Sequence, residues 1–237
     1  MSMLINLLLA AIAFLPPENS KAVLTKMHNI YSGRWYSSFT FHQTTENYRN
    51  DSLIKTDTWY EAIKYPDHFR IDFGDPAKGN AVIFNKDSSY NFRNGKPGRI
   101  TVNNDDLTFL LGGMYFYPLD TVLAKMNTLG YHLDHFHKDK WKGADVYVIG
   151  ANDNNEKMNQ LWIDKEKMVL VRFIKYDNGH KEEGVLENQK KFGQGWSETG
   201  CTFYIDDKLY QKEIYHDCKF DVLIDNSFFD PKAFGHK

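Results

Sequence analysis

The chain has 237 residues, enough for one large β domain or two small ones, and a domain of that size buries a core without disulfides or metals. Its formal net charge is -2 and it has no cluster of Lys and Arg, which excludes an electrostatic nucleic-acid surface. Aromatic residues make up 15% of the chain, and such residues favour strands and large apolar contacts.

The N-terminus has the pattern of a secretory signal sequence. Residues 4–15 form an apolar run that is short for a membrane-spanning helix but suits the hydrophobic region of a signal peptide. Ser20 and Ala22 offer small side chains for cleavage, so we predict export with residues 1–22 removed near Ala22. The leader lacks Lys and Arg, and an N-terminal amphipathic or membrane-docking helix is the alternative.

The first half of the chain predicts a short helix followed by closely spaced strands. After the helix at residues 23–31, the clearest strand is at residues 69–73, where Phe69, Ile71 and Phe73 alternate with Arg70 and Asp72. This alternation is typical of an antiparallel strand with one apolar face and one solvated face. Further strands are predicted at residues 34–43, 53–64, 81–85, 89–93 and 99–103.

The pattern becomes helical in the middle of the chain. Asp105 and Asp106 are placed to cap a helix that ends at Gly112, and Pro118 opens a second helix that ends at Gly130. Strands are again predicted at residues 131–137, 144–151, 157–164, 168–176, 183–189, 199–206 and 208–218.

Roughly a dozen short strands with hairpin spacing predict a barrel or a strongly curved antiparallel sheet, because flat sheets of that width are rare. The fold class is therefore α+β and mainly β. Residues 23–237 form one domain, and the helical block at about residues 105–129 serves as a lid or plug.

The sequence gives little support for a metal-binding site. The densest group of potential ligands comprises His132, Asp134, His135 and His137. In a strand, these side chains would divide between two faces, which favours a solvated polar strand over a metal site.

The sequence also gives little support for a catalytic site. A hairpin turning at residues 206–207 would pair Cys201 near Lys212 and away from Cys218, so we predict two free thiols rather than a disulfide. Three residues would serve a hydrolase that worked in a cavity, namely His42, His68 and Asp72.

Four short segments follow one another in a recognisable order. They are Ile63-Lys64-Tyr65-Pro66-Asp67-His68-Phe69, then Val82-Ile83-Phe84-Asn85 through Tyr90-Asn91-Phe92, then the helical block at residues 107–129, and finally Leu161-Trp162-Ile163-Asp164 followed by Val169-Leu170-Val171. In this order the chain resembles the LolA/LolB-like superfamily of lipoprotein carriers and acceptors. The resemblance implies an incomplete antiparallel barrel with a helical lid, whose concave apolar face binds acyl chains or other lipids in the periplasm.

The resemblance also implies roles for individual residues. The candidate wall residues of the cavity are Phe39, Phe41, Trp59, Phe69, Ile71, Phe73 and Trp162, and the candidate lid residues are Phe109, Leu110, Phe116 and Leu123. In the carriers an Arg precedes the strand proline and latches the lid, whereas this chain has Tyr65 at that position and Lys64 beside it. A relative that carries another lipid, or none, therefore fits this sequence as well as a lipoprotein carrier.

The sequence thus predicts an exported protein of the periplasm or outer cell envelope that is not an enzyme. It would use no cofactor or metal and would bind a lipid or an acylated lipoprotein, with membrane-associated proteins as further partners. Two alternatives stay open. One is a protein-interaction module with a solidly packed barrel, and the other is a hydrolase that uses the cavity.

Overall fold

The computed structural model describes residues 16–103, 105–154 and 157–235; the apolar run of the predicted signal sequence, up to residue 15, lies outside them. Within the described residues the α-helices are α1 (Ser20–Tyr31), α2 (Leu107–Leu110) and α3 (Leu119–Thr128). The first six strands are β1 (Ser38–Arg49), β2 (Ser52–Lys64), β3 (His68–Phe73), β4 (Ala81–Asn85), β5 (Ser88–Arg93) and β6 (Lys96–Val102). The others are β7 (Phe136–Trp141), β8 (Ala144–Ile149), β9 (Gln160–Asp164), β10 (Leu170–Asp177), β11 (His180–Glu187), β12 (Lys190–Phe192), β13 (Gly195–Ser197), β14 (Gly200–Ile205) and β15 (Lys208–Phe220).

Thirteen of these strands form one antiparallel sheet in the order β6-β5-β4-β3-β2-β1-β15-β14-β11-β10-β9-β8-β7. The two edge strands, β6 and β7, do not pair with each other, so the sheet curls without closing. The register of β1 shifts against β15 between Thr40 and His42 and against β2 between Asn47 and Tyr48, where β15 and β2 each carry one extra residue, and these bulges bend the central strands locally. The mainly β, incomplete barrel with a small helical part is therefore confirmed.

Helix α1 fills the barrel from within. It begins three residues earlier than predicted, because Asn19 caps it by accepting a hydrogen bond from the Ala22 amide at 2.8 Å. Its buried side chains, including Val23, Leu24 and Met27, join the main hydrophobic core. Packing of this apolar stripe is what holds a twelve-residue helix that would be marginal alone.

The outward side of β3 is covered by protein, whereas the sequence predicted that it would be solvated. Asp72 is only 4% exposed and accepts two hydrogen bonds from Arg70, each 2.8 Å long. The C-terminal segment at residues 221–235 covers this face, where the Arg70 guanidinium lies over the rings of Phe228 and Phe234. Phe229 is fully buried there in a second apolar cluster. A distant part of the chain thus shields the polar side of the alternation.

Two local predictions need correction. Residues 131–135 are not a strand, because Gly130 ends α3 and the His135 amide closes a turn onto the His132 carbonyl at 3.1 Å. The β12–β13 hairpin was not predicted, since its three-residue strands are too short for a periodic signal.

No helix within residues 16–103, 105–154 and 157–235 is long and apolar enough to cross a bilayer.

Candidate functional site

A cavity of about 150 Å³ lies between the concave face of the sheet and the helical block. Five of the predicted wall residues line it: Phe39, Phe41, Trp59, Phe69 and Ile71. They come together because the register of the antiparallel strands places Phe39 opposite Ile63, and Ile63 opposite Phe69. Alternate residues of three neighbouring strands therefore share one face.

The other two predicted wall residues lie elsewhere. Phe73 packs edge-on against Trp59, with ring centroids 5.0 Å apart, outside the cavity lining. Trp162 is on the opposite face of the sheet, in a separate cluster with Val146 and Val148. Every residue of β9 is buried, so the run carries no alternation from which the sequence could assign the inward face.

The lid contributes different residues from those predicted. Leu107, Thr108 and Leu111 line the cavity, whereas Leu110 faces a neighbouring groove. Phe109 is buried in the main core, with the Lys125 ammonium group 4.3 Å from its ring centroid. The lid nevertheless begins next to Asp105, as the sequence predicted.

Asp105 holds the start of the lid through its carboxylate, which accepts hydrogen bonds from the amides of Leu107 and Thr108 at 3.1 and 3.3 Å. Leu123 packs against the main core from α3, and Phe116 is 40% exposed.

Tyr65 contacts the lid by packing rather than by an ionic latch. Its ring stacks on Phe116 with centroids 5.7 Å apart and lies against Gly112, where an added Cβ would come within 2.6 Å of Tyr65 Cζ. Lys64 points away from the lid and donates to the Ile224 carbonyl at 2.9 Å and to Asn226 Oδ1 at 2.5 Å. The latch position is thus occupied by an apolar contact, while its neighbour anchors the C-terminal segment.

A groove of about 420 Å³ adjoins the cavity. The two share Asp105, Leu107 and Phe203 as wall residues, so one side chain layer separates them. Aromatic and aliphatic side chains make up much of the groove wall, namely Leu107, Leu110, Tyr131, Phe173, Phe203, Ile205 and Tyr210. The rest of the groove wall is charged or polar and includes Asp106, Lys175, Glu182 and Glu183.

The cavity also contains carboxyl groups that the sequence reasoning missed. Glu61, Glu198 and Glu213 line it together with Asp105, and none of its lining residues is Lys, Arg or His. Burial, reinforced by repulsion from Glu213, raises the pKa of Glu198 to about 7. Burial, reinforced by the neighbouring carboxyl groups, also holds the pKa of Glu61 well above its usual range.

A signal for these residues was present in the strand register. Glu61 lies two residues from both Trp59 and Ile63, on the inward side of β2, and Glu213 lies two residues before Tyr215 on β15. A charged residue at an inward position breaks the apolar alternation, and such a break marks either a bulge or a site.

Hydrogen bonds organise one side of this cluster. Tyr215 stacks on Phe41 with centroids 4.2 Å apart and donates to Glu213 Oε2 at 3.2 Å. Its hydroxyl is also 3.2 Å from the Cys201 thiol. Both Cys201 and Cys218 are free thiols. Burial raises the pKa of Cys201 well above its ordinary value, so the thiol stays protonated and is a poor nucleophile.

The candidate acid–base residues lie outside the cavity. His42 and Asp72 border a shallow pocket on the outer face of the sheet, with His42 Nδ1 3.5 Å from Asp217. His68 pairs with Asp67 at 2.8 Å and packs against Phe229.

The four residues that form the densest group of potential metal ligands in the sequence make other contacts. His137 faces the Ala151 carbonyl at 2.9 Å, and the His132 and His135 rings lie 5.8 Å apart. Asp134 is 3.9 Å from His135. Among the described residues no group of three or more His, Cys, Asp or Glu is arranged to hold a metal ion.

Solved structures share this architecture. A DUF1329 family protein from Desulfovibrio piger is 14% identical with a TM-score of 0.60, covering 91% of this chain and 97% of its own. A domain of a putative outer membrane lipoprotein-sorting protein from Vibrio parahaemolyticus is 12% identical with a TM-score of 0.62, covering 92% and 98%. A LolA superfamily protein from Nitrosomonas europaea is 14% identical with a TM-score of 0.58, covering 91% and 100%.

The chain has a LolA-like fold.

The resemblance read from four sequence segments is therefore confirmed at the level of the fold. No family model and no curated protein sequence matches the chain. At these low identities the likeness carries the LolA-like architecture of curved sheet and helical lid, and what this chain binds has to be argued from its own residues.

Proposed function

We propose that this LolA-like protein is exported to the cell envelope, where it binds a lipid or an acylated lipoprotein. The observation that carries the proposal is the aromatic-lined cavity under the lid, together with the partly apolar groove beside it. Burying acyl surface there contributes about 25 cal/mol per Å² before the costs of association. The named lipoprotein-sorting domain and LolA superfamily protein of the same fold support this class of ligand.

The first test asks whether the protein carries a lipid. Native mass spectrometry of protein purified from an exporting bacterial host should show a co-purified fatty acid or phospholipid. The delipidated protein should then bind a fluorescent fatty acid that added dodecanoate displaces. An empty spectrum together with no fluorophore binding would contradict the proposal.

A matched pair of variants locates the binding. Ile71→Trp adds an indole to the cavity wall, whereas Ile100→Trp adds the same group at a position that is 63% exposed on the edge strand β6. The first change should weaken fluorophore binding by about tenfold or more, because it fills the space an acyl chain would use. The second should leave binding unchanged. Equal effects at both positions would remove the cavity from the proposal.

Export should be accompanied by cleavage before Asn19 rather than at Ala22. Asn19 caps α1, and the Ser20 hydroxyl donates to the His135 carbonyl at 2.5 Å, so processing at Ala22 would remove both contacts. Mass spectrometry of the mature protein should place its N-terminus upstream of Asn19. A mature protein that begins at Val23 would contradict this expectation.

The interaction-module alternative keeps one observation in its favour. Much of the barrel interior is filled by packed aromatic residues, with the Trp35 ring 4.7 Å from Tyr115 and 5.0 Å from Tyr36. If the lipid tests fail in a folded protein, this packed interior makes recognition through an edge strand the better account.

A further inference from the structure

The cavity has an excess of negative groups that an acyl chain alone does not explain. Four carboxyl-bearing residues line about 150 Å³, with no basic side chain among the lining residues. Asp105 is committed to capping the lid, because its carboxylate accepts two backbone hydrogen bonds. Glu213 is partly satisfied by Gln211 at 2.5 Å and by Tyr215 at 3.2 Å. The other two carboxylates lack such partners.

Glu198 is the most isolated of them. It is 6% exposed and lines the cavity, and among the described residues no other residue donates a hydrogen bond to its carboxylate or forms an ion pair with it. No hydrogen bond or ion pair to the Glu61 side chain is present among the described residues either. Glu198 is buried and Glu61 is half-buried, and a carboxylate without a partner in such surroundings is costly, so the site either keeps these groups protonated or receives a positive charge from a ligand.

An independent observation comes from the neighbouring side chain of Gln43. It is fully buried and lies between Trp59 and Tyr215 in the strand register, and both of those residues line the cavity. Its Nε2 donates to Thr45 Oγ1 at 2.9 Å, but its Oε1 has no hydrogen-bond partner. Gln43 is not itself a lining residue of the cavity, so this unpartnered oxygen lies behind the lining, next to the residues that carry the carboxyl groups.

The aromatic walls fit the same kind of ligand. Phe39, Phe41, Trp59 and Tyr215 surround the carboxyl groups, and the faces of such rings attract organic cations. A metal ion is a poor candidate, since no described group of three or more His, Cys, Asp or Glu is arranged to hold one. An ammonium group meets both the acidic and the aromatic parts of this lining.

We propose that the cavity binds an organic ammonium group, the head of a cationic amphiphile whose apolar tail lies in the adjoining groove. This inference rests on the proposed lipid-binding function and specifies the chemical class of the head group. Glu61 and Glu198 face the ammonium, the aromatic rings surround its alkyl substituents, and the groove beside Phe203 receives the chain.

The test compares two probes of equal chain length by isothermal titration calorimetry. Dodecyltrimethylammonium and dodecanoate share a chain and differ in head-group charge, so the first should bind at least about tenfold more tightly. If dodecanoate binds as tightly, the head-group inference is overturned and the lipid-binding function stands. If neither probe binds, the proposed function fails as well.

Three variants assign the effect to the cavity. Glu61→Gln and Glu198→Gln keep the side-chain volume and should each weaken dodecyltrimethylammonium binding by about tenfold while leaving dodecanoate binding unchanged or tighter. Glu166→Gln removes the same charge from an exposed turn and should change neither. Circular dichroism melting confirms that each variant is folded. An equal loss in Glu166→Gln would show a general charge effect and overturn the inference.

The pH dependence gives a readout that a merely structural role would not move. The quaternary probe does not titrate, so its affinity should rise between pH 5.5 and pH 8 as the carboxyl groups ionise. The titratable groups that face the cavity are Tyr36, Glu61, Tyr65, Asp105, Glu198, Cys201, Glu213 and Tyr215. An affinity that is flat in wild type across this range would contradict the inference.

Discussion

At the scale of single residues, the buried carboxyl group of Glu198 is the most consequential feature of the molecule. Burial raises its pKa from an ordinary 4.5 to about 7, with Glu213 adding to the effect. Between pH 4.5 and about pH 7, the folded protein therefore keeps a proton on Glu198 that the unfolded chain has released. Stability contributed by this proton is present at low pH and is lost as the pH rises through about 7.

Unfolding by urea should reveal this dependence. The wild-type protein should lose roughly 2 kcal/mol of unfolding free energy through Glu198 between pH 5.5 and pH 8, as the linkage of such a shift requires. Glu198→Gln should remove that part of the pH dependence, whereas Glu166→Gln should leave the profile unchanged. A Glu198→Gln profile parallel to wild type would show that the carboxyl is ionised throughout.

Tyr65 shows how one residue alters a familiar arrangement. Its ring is buried against Gly112 and stacks on Phe116, so the lid meets the β2–β3 corner through apolar contact. Such a contact lacks the directionality of a charged hydrogen bond. How closely the lid approaches Tyr65 therefore depends on small residues, such as Gly112, opposite its ring.

At the scale of elements, the lid is held by close backbone approach. A Cβ added at Gly113 would lie 2.7 Å from the Pro66 carbonyl oxygen and 3.0 Å from that of Thr108. Both are main-chain atoms, so relief requires movement of the lid or of the β2–β3 corner. Gly112 and Gly113, at the predicted end of the first lid helix, thus also allow the lid to approach the β2–β3 corner closely.

Gly113→Ala should therefore destabilise the protein by about 1–3 kcal/mol in urea unfolding, as overpacking generally does. It should also increase hydrogen exchange at the amides of α2, since the displaced lid opens more readily. Thr121→Ala, at an exposed position of α3, is the matched control and should change stability by less than about 0.5 kcal/mol. Wild-type stability in Gly113→Ala would mean that the lid adjusts without cost.

At the scale of the whole molecule, the curved sheet is covered on both faces. The helices and the lid fill its concave side, while the C-terminal segment closes an apolar cluster on the convex side. Phe229 is fully buried in that cluster, whereas the neighbouring Phe228 is 38% exposed and lies under the Arg70 guanidinium. The terminus is thus part of the hydrophobic core of the domain.

Phe229→Ala should cost about 3–5 kcal/mol of unfolding free energy, as removal of a buried phenyl ring does in other cores. Phe228→Ala should cost about 1 kcal/mol, since its ring is partly solvated and contributes chiefly a cation–π contact. Urea denaturation of the two variants measures the difference. Equal losses would indicate that the C-terminal segment is not docked as described.

The amino-acid sequence by itself determined the antiparallel strands and the helical block, whereas Phe39, Phe41, Trp59, Phe69 and Ile71 were predicted as wall residues through the family resemblance. Period-two alternation and local caps encode these features within a few residues of each other. The hairpin pattern also predicted that Cys201 lies near Lys212 and away from Cys218, and in the structure Cys201 pairs with the adjacent Glu213.

Only the tertiary structure decided which residues that are far apart in the chain face one another. Burial on both faces hid the outward position of Trp162, and the distant C-terminal segment turned the polar side of β3 into an interface. The carboxyl cluster forms because β2, β15 and the residue after β13 meet at one cavity, with Glu61 and Glu198 far apart in the chain. Non-local pairing of this kind depends on the strand order and curvature of the whole sheet, which no local pattern records.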